Sequence, residues 1–181
     1  MVLIQTERLR LRTWDAGDLD RFAEINADPD VMQFFPAPLS REETAAMIQR
    51  LQAHQEEHGF CFWAVDHLSD NRLIGMIGLS RPVMKTWFTP CVEIGWRLHP
   101  SVWRQGIATE GAKACLAYAW ETLGLDEVVS FTATTNLASQ GVMKKIGMQE
   151  AGYFDHPLLP AGHPLQQHVL FRVRREDVLP T

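Results

Sequence analysis

At 181 residues, 46% apolar and with a formal net charge of −5, the chain has the length of one domain, 1–181, and enough apolar content for one core. The acidic balance, with no concentrated basic patch, excludes a broad nucleic-acid partner, and the longest apolar stretch, Leu73 to Leu79, is broken by glycines and too short to cross a membrane. Glu7, Arg8, Arg10 and Arg12 stand where a signal peptide would need a continuous apolar centre, so a soluble, cytoplasmic protein is expected.

Arg8 to Thr13 alternates charged and apolar residues at period two and predicts a half-buried strand, after which Leu19, Phe22, Ala23 and Asn26 change to helical spacing. Asp28, Pro29 and Pro36 interrupt. Ser40 and Glu43 form a capping box for a second helix that carries Met47, Ile48 and Leu51 and ends near Gly59. Phe60 to Asp66 and Leu73 to Ser80 read as a hairpin turning at Ser69-Asp70-Asn71. Beyond a proline-bounded loop, Val92, Ile94, Trp96 and Leu98 point to one side of a central strand and Glu93, Gly95 and Arg97 to the other.

A helix starting near Thr109 shows one apolar face through Ala112, Cys115, Leu116, Ala119 and Leu123, and Gly124 stops it. Glu127 to Thr134 alternates again, Leu137 to Ile146 is helical with Gly147 as its cap, and strands near Met148 to Phe154 and Val169 to Val173 follow. The order β-α-α-β-β-β-α-β-α-β-β predicts an α/β fold: a mixed sheet covered by helices on both sides.

The segment with most chemical content runs from Glu93 to Glu110. A strand passes through a short glycine-bearing loop into a helix start, where unpaired N–H groups and the positive dipole end favour a phosphate. Gly106 lets the backbone approach an anion and Ala108 keeps the way clear; a glycine kept for shape alone is the alternative. Neither a G-x-x-x-x-G-K-[ST] loop nor a G-x-G-x-x-G loop after a strand occurs, which disfavours an ATPase or a dinucleotide reader.

These residues resemble a known family. Trp103-Arg-Gln-Gly106-Ile-Ala108-Thr-Glu110 is similar to the acyl-CoA pyrophosphate loop of GNAT acetyltransferases, in the form found in the RimJ/RimL-like ribosomal-protein branch. Asn136-Leu-Ala-Ser139-Gln-Gly-Val142-Met-Lys-Lys145-Ile-Gly147-Met148 resembles a second motif of that branch, and Glu7-Arg8-Leu-Arg10-Leu-Arg12 its first strand. The resemblance covers nearly the whole chain and implies the GNAT acyl-CoA N-acyltransferase fold, with acetyl-CoA as co-substrate and no metal. It implies that the amides of Arg104, Gln105, Gly106, Ile107, Ala108 and Thr109 hold the pyrophosphate. The strand at Arg97 and Leu98 would pair with the pantetheine arm, and Asn136 would hydrogen-bond it. The acceptor is a primary amine, either a small molecule or a peptide or protein N-terminus, and direct attack in a ternary complex is expected. A non-catalytic acyl-CoA-binding or sensor module is the competing reading.

Attack on a thioester by an amine needs a base, an oxyanion donor and an acid. Glu93 is the candidate base, against an alternative in which it only pairs with Arg97 two positions along the same face. The oxyanion donor is expected among main-chain N–H groups near Leu98. Met143 stands where many relatives carry a tyrosine, and a thioether donates no proton. Ser139 takes the acid role in the Rim-like motif, against an alternative as a helix-start residue.

Cys61, Cys91 and Cys115 show no C-x-x-C spacing and suggest neither a disulfide framework nor a zinc cage, and nothing marks Cys91 as a reactive thiol. His54 and His58 are spaced as metal ligands but read as solvated. The loop holding His156 and His163 either lines the acceptor site or is plain surface. For Phe34, Phe35, Trp87 and Phe88, in loops, an acceptor pocket and a homodimer contact are both open.

Overall fold

Period-two alternation decides which face each strand buries. In β2 (Leu9–Arg12) both leucines are fully buried, while Arg10 and Arg12 turn to the opposite face and meet Asp66. The computed structural model describes residues 1–178 and arranges them around one eight-stranded sheet of order β1-β2-β3-β4-β5-β6-β8-β7. The other strands are β1 (Val2–Gln5), β3 (Phe62–His67), β4 (Arg72–Ser80), β5 (Glu93–Leu98), β6 (Glu127–Ala133), β7 (Gln149–Asp155) and β8 (Gln167–Arg174). β1 is an addition to the expected order; it folds back antiparallel on β2 at the sheet edge. The expected hairpin is β3–β4, and Asn71 in its turn takes a left-handed φ of 54°.

Helices α1 (Leu19–Ala27) and α2 (Arg41–His58) cover one face, and α3 (Ile107–Glu121) and α4 (Leu137–Lys145) the other. The short α5 (Arg175–Val178) follows β8. The Ser40–Glu43 capping box starts α2 and left-handed Gly59 ends it, as expected. α3 begins at Ile107 rather than near Thr109, because Gly106 is itself the N-cap. Its Gly111 fits because an added Cβ would stand 2.4 Å from Ile77 Cδ1, so the helix lies directly on the sheet. One large core joins β2–β5, α1, α2 and α3, and a smaller apolar cluster of Phe88, Val129, Phe154 and Leu170 sits between β6, β7, β8 and the 81–92 loop.

Arg12 binds this framework together. Its guanidinium meets Asp66 through Nε and Nη2 at 2.7 and 2.8 Å, and Asp18 through Nη1 and Nη2, both at 2.8 Å. Every edge of the fork is used, which ties β2 and β3 to the start of α1.

Candidate functional site

The central feature is a gap in the sheet. β5 pairs with β4 antiparallel along its length, but with β6 in parallel only at Glu93–Val129. Val92 O accepts from Val129 N–H at 2.9 Å, and the Ser130 hydroxyl donates to Ile94 O at 2.8 Å; beyond that point the strands diverge. His99 N–H bonds Ile74 O on the β4 side, so alternation turns the main-chain groups of Trp96 and Leu98 toward the gap. Leu98 O is taken by the Trp103 indole N–H at 2.8 Å. The N–H groups of Trp96 and Leu98 and the Trp96 carbonyl are thus the open edge of β5.

The N-terminus of α3 stands beside this gap. Arg104 and Gly106 both adopt left-handed φ, 58° and 78°, which folds the loop into a concave turn. No side chain caps the helix, and its first main-chain bond is Glu110 N–H to Gly106 O. The N–H groups of Ile107, Ala108 and Thr109 therefore lack helical acceptors, and with Arg104 and Gln105 they form a nest for an anion. The exposed Arg104 and Gln105 side chains lie at its rim, with the Gln105 amide donating to Ser101 O at 2.8 Å.

One contact at this loop joins residues far apart in the sequence. Arg8 donates through Nε to Glu110 at 2.6 Å and through Nη1 to Gln105 O at 2.8 Å, while Thr6 Oγ1 donates to the same carboxylate at 2.6 Å. Burial alone would raise the Glu110 carboxyl, but the bonds from Thr6 and Arg8 hold it below its ordinary range. The signal was the pairing of Arg8 with Glu110 across 102 positions, which spacing cannot reveal.

On the far side of the gap, Asn136 caps α4 by accepting from Ser139 N–H at 3.2 Å. Its amide nitrogen donates to Thr132 Oγ1 at 2.9 Å and Ser139 Oγ at 3.1 Å, so both of its donors are engaged within its own neighbourhood. Ser139 Oγ also receives the Trp96 indole N–H at 3.3 Å. With both lone pairs occupied, its own O–H is left to donate elsewhere. Met143 is buried in the core and offers no proton.

Glu93 lies on the opposite face of β5, where the flanking strands crowd it, and burial pushes its carboxyl up to about 8. It makes no ion pair with Arg97. Arg97 is also placed differently from expectation: its main-chain groups face β4 opposite Met76, and its side chain runs away from the gap to α1 and α2. Of the two strand residues expected to pair with the pantetheine arm, only Leu98 presents a main-chain group to the gap.

Beside Glu93, Phe88, Phe131, Phe154 and His168 form an aromatic wall, with Phe88 and Phe154 centroids 4.9 Å apart and Phe154 and His168 5.5 Å apart. The His156 ring lies tilted against His168, centroids 4.9 Å apart, and burial lowers the pKa of both rings. Cys91 is pushed up to about 11 by burial and by the charges of Glu93 and Glu127, so its thiol stays protonated near neutrality. His54 is not simply solvated: its Nδ1 lies 2.7 Å from Phe60 O, and its Nε2 accepts from Arg81 N–H at 3.0 Å. Among the described residues no cluster of His, Cys, Asp and Glu is arranged to hold a metal ion.

An uncapped helix start beside an unzipped strand pair suits a ligand with a diphosphate and an amide-bearing arm, and the chain is similar to known proteins in sequence and fold. The chain is 31% identical over 185 residues to an FsC-acetyl coenzyme A-N(2)-transacetylase from Aspergillus fumigatus, covering 97% of this chain and 77% of that one. It is 28% identical to the Bacillus subtilis N-acetyltransferase YnaD, over 96% of this chain and 98% of that protein. A solved GNAT-family acetyltransferase from Bacillus anthracis superposes with a TM-score of 0.78 at 27% identity, over 94% of this chain and 97% of the other. The family profile described as an acetyltransferase (GNAT) domain matches residues 8–149, spanning β2 through the start of β7 and hence the loop, the gap and Ser139. The chain therefore belongs to the GNAT acetyltransferase family.

Proposed function

We propose that this enzyme transfers an acetyl group from acetyl-CoA to a primary amine by direct attack in a ternary complex. The observation that carries the reading is the open β5 edge at Trp96 and Leu98 next to the uncapped start of α3. The name of the Aspergillus relative, a transacetylase of acetyl coenzyme A, supports the choice of donor.

In this reading the amides of Arg104 to Thr109 bind the pyrophosphate, and the Arg8–Glu110 bridge holds their loop in place. The main-chain groups of Trp96 and Leu98 bind the pantetheine arm, and Asn136 reaches that arm only by giving up Thr132 or Ser139. Acetyl-CoA supplies an activated acyl group. Glu93 takes the proton of the incoming amine, directly or through a water, and a pKa near neutrality suits that task. With the Leu98 N–H and the Trp96 carbonyl on the arm, the Trp96 N–H, nearer Glu93 on the same open edge, offers a donor where negative charge develops on the acyl oxygen. Ser139 gives its proton to the departing thiolate, which leaves as the free thiol of CoA, while Trp96 and Asn136 hold the serine oxygen. The protonated Cys91 thiol supports attack without an acyl-cysteine stage.

The run from Trp103 to Glu110 and the Asn136 to Met148 motif support a place near the RimJ/RimL-like branch. The test is thiol release from acetyl-CoA across a panel of small amines and N-terminal peptides. Release that depends on both amine and Glu93 is expected. Tight acetyl-CoA binding without release for any amine would instead leave a binding module.

A further inference from the structure

Arg97 is 8% exposed, yet no carboxylate lies within ion-pair distance of it among the described residues. Nη1 donates to Asn26 Oδ1 at 2.8 Å and lies 3.6 Å from Met47 Sδ, and the guanidinium carbon sits 4.3 Å from the Phe35 ring centroid. Nε is sealed from solvent without a partner, and no acceptor is in reach of Nη2. A buried charge without a counter-ion is costly, and this one is held by neutral groups alone. Burial lowers its pKa to about 10.

Arg12 shows what the same side chain does when satisfied. It grips Asp66 through Nε and Nη2, the edge that Arg97 leaves without an acceptor. That edge is the one a planar carboxylate meets with two parallel bonds. Arg97 is also fixed in place, because Asn26 is itself fully buried and donates to Thr44 at 3.2 Å, and Phe35 covers the guanidinium face. The guanidinium is thus held at Nη1 and across its face.

Its position relative to Glu93 gives the vacant edge a purpose. Glu93 and Arg97 lie on one face of β5, about 13 Å apart at the Cα atoms from the usual strand rise. The residue between them on that face is Gly95, and the Phe62 ring lies on it, so that an added Cβ would come 3.1 Å from Phe62 Cε1. A carboxylate, an aromatic floor and a guanidinium thus follow one another along one strand.

We propose that Arg97 is the anion-binding end of the acceptor site and that the acceptor is a small amine carrying a carboxylate, its amine at Glu93 and its carboxylate on Nε and Nη2 of Arg97. The proposal rests on the acetyltransferase reading. Nη2, which is not sealed, makes the first contact, and Nε joins it when the side chains that seal it shift. The enclosed position of Arg97, under Phe35 and between α1 and α2, favours a small molecule over a polypeptide segment.

The test compares glycine, 4-aminobutyrate and 6-aminohexanoate with their carboxamides as acceptors, for the native enzyme, Arg97→Gln and Arg97→Lys. The expected result is a kcat/KM preference for carboxylate over carboxamide of about tenfold or more in at least one pair. Arg97→Gln should bring that ratio near one, the carboxylate rate falling by far more than the carboxamide rate, and Arg97→Lys should keep part of the preference. A merely structural Arg97 would lower both members of each pair together, and that result, or equal rates in the native enzyme, overturns the proposal. If no amine is acetylated, the acetyltransferase reading fails, and calorimetric binding of the same pairs decides the site independently. Carboxylate binding lost in Arg97→Gln upholds it, and binding that is absent or unchanged by Arg97→Gln overturns it.

Discussion

The Trp96 indole N–H reaches Ser139 Oγ at 3.3 Å, joining the central strand to α4 across the gap in the sheet. Together with the Asn136 amide at 3.1 Å, this bond fills the acceptor side of the hydroxyl and leaves its proton to be given away. Ser139→Ala should lower kcat by about 10² while the dissociation constant for acetyl-CoA stays nearly constant. Ser139→Thr should retain part of the rate. Single-turnover kinetics beside calorimetric titration would check this, and a loss of affinity equal to the loss of rate would reduce Ser139 to a helix cap.

Glu93 predicts a pH dependence of both rate and stability. Its carboxyl, raised by burial to about 8, acts as a base only when ionised, so kcat with an acceptor that stays neutral, such as an aryl amine, should rise with pH and level off above about 8. Glu93→Gln should lower kcat by roughly 10² to 10⁴ and remove that limb. For stability the sign is opposite: between the unfolded carboxylate range and about 8, the folded state holds a proton that the unfolded state has lost. Stability should therefore fall as pH rises through that window, and less so in Glu93→Gln, as denaturant titrations at stepped pH would record.

In the loop before α3, Gly106 holds φ at 78° with only Arg8 Nη2, 3.5 Å away, near the place of a Cβ. The constraint is conformational rather than steric. Gly106→Val should destabilise by about 1–2 kcal/mol through left-handed strain and weaken acetyl-CoA binding as the amide nest opens. Gly106→Asn should be milder on both counts, since asparagine tolerates this conformation. Denaturant melts and titrations with acetyl-CoA measure the two effects separately.

Arg12→Met should cost about 3–5 kcal/mol, because it leaves Asp18 and Asp66, each with a side chain only 5% exposed, without their shared cation. A chemical denaturation series would show it, and a cost below about 1 kcal/mol would mean that solvent reaches the carboxylates.

How much of this was readable in advance depended on whether a feature is local. The capping box at Ser40, the glycine entry to α3 and the alternation of β5 each lie within one short segment, and the structure bears them out. Alternation also separated Glu93 and Arg97 from Ile94 and Trp96, but it could not say which strand each peptide group would face; that depends on the neighbours, and it moved Arg97 away from the gap. β1, at only four residues, carries too short a pattern to stand out before its pairing with β2 is known. Arg8 with Glu110, and His54 between Phe60 and Arg81, are long-range contacts whose partners no spacing rule connects. Phe35 was noticed as an aromatic residue in a loop, but its use over Arg97 required the fold.

The lone parallel rung at Glu93 and Val129 has a structural consequence. Beyond it, β1–β5 and β6–β8 are linked across the gap by side chains, Ser130 to Ile94 and Trp96 to Ser139, with Glu93 in the first set of strands and Ser139, on α4, beside the second. Main-chain bonding between the two sets therefore ends where the open edge of β5 begins. An extended guest bonded along that edge would continue the ladder in place of a strand, satisfying the Trp96 and Leu98 groups that β6 leaves unpaired.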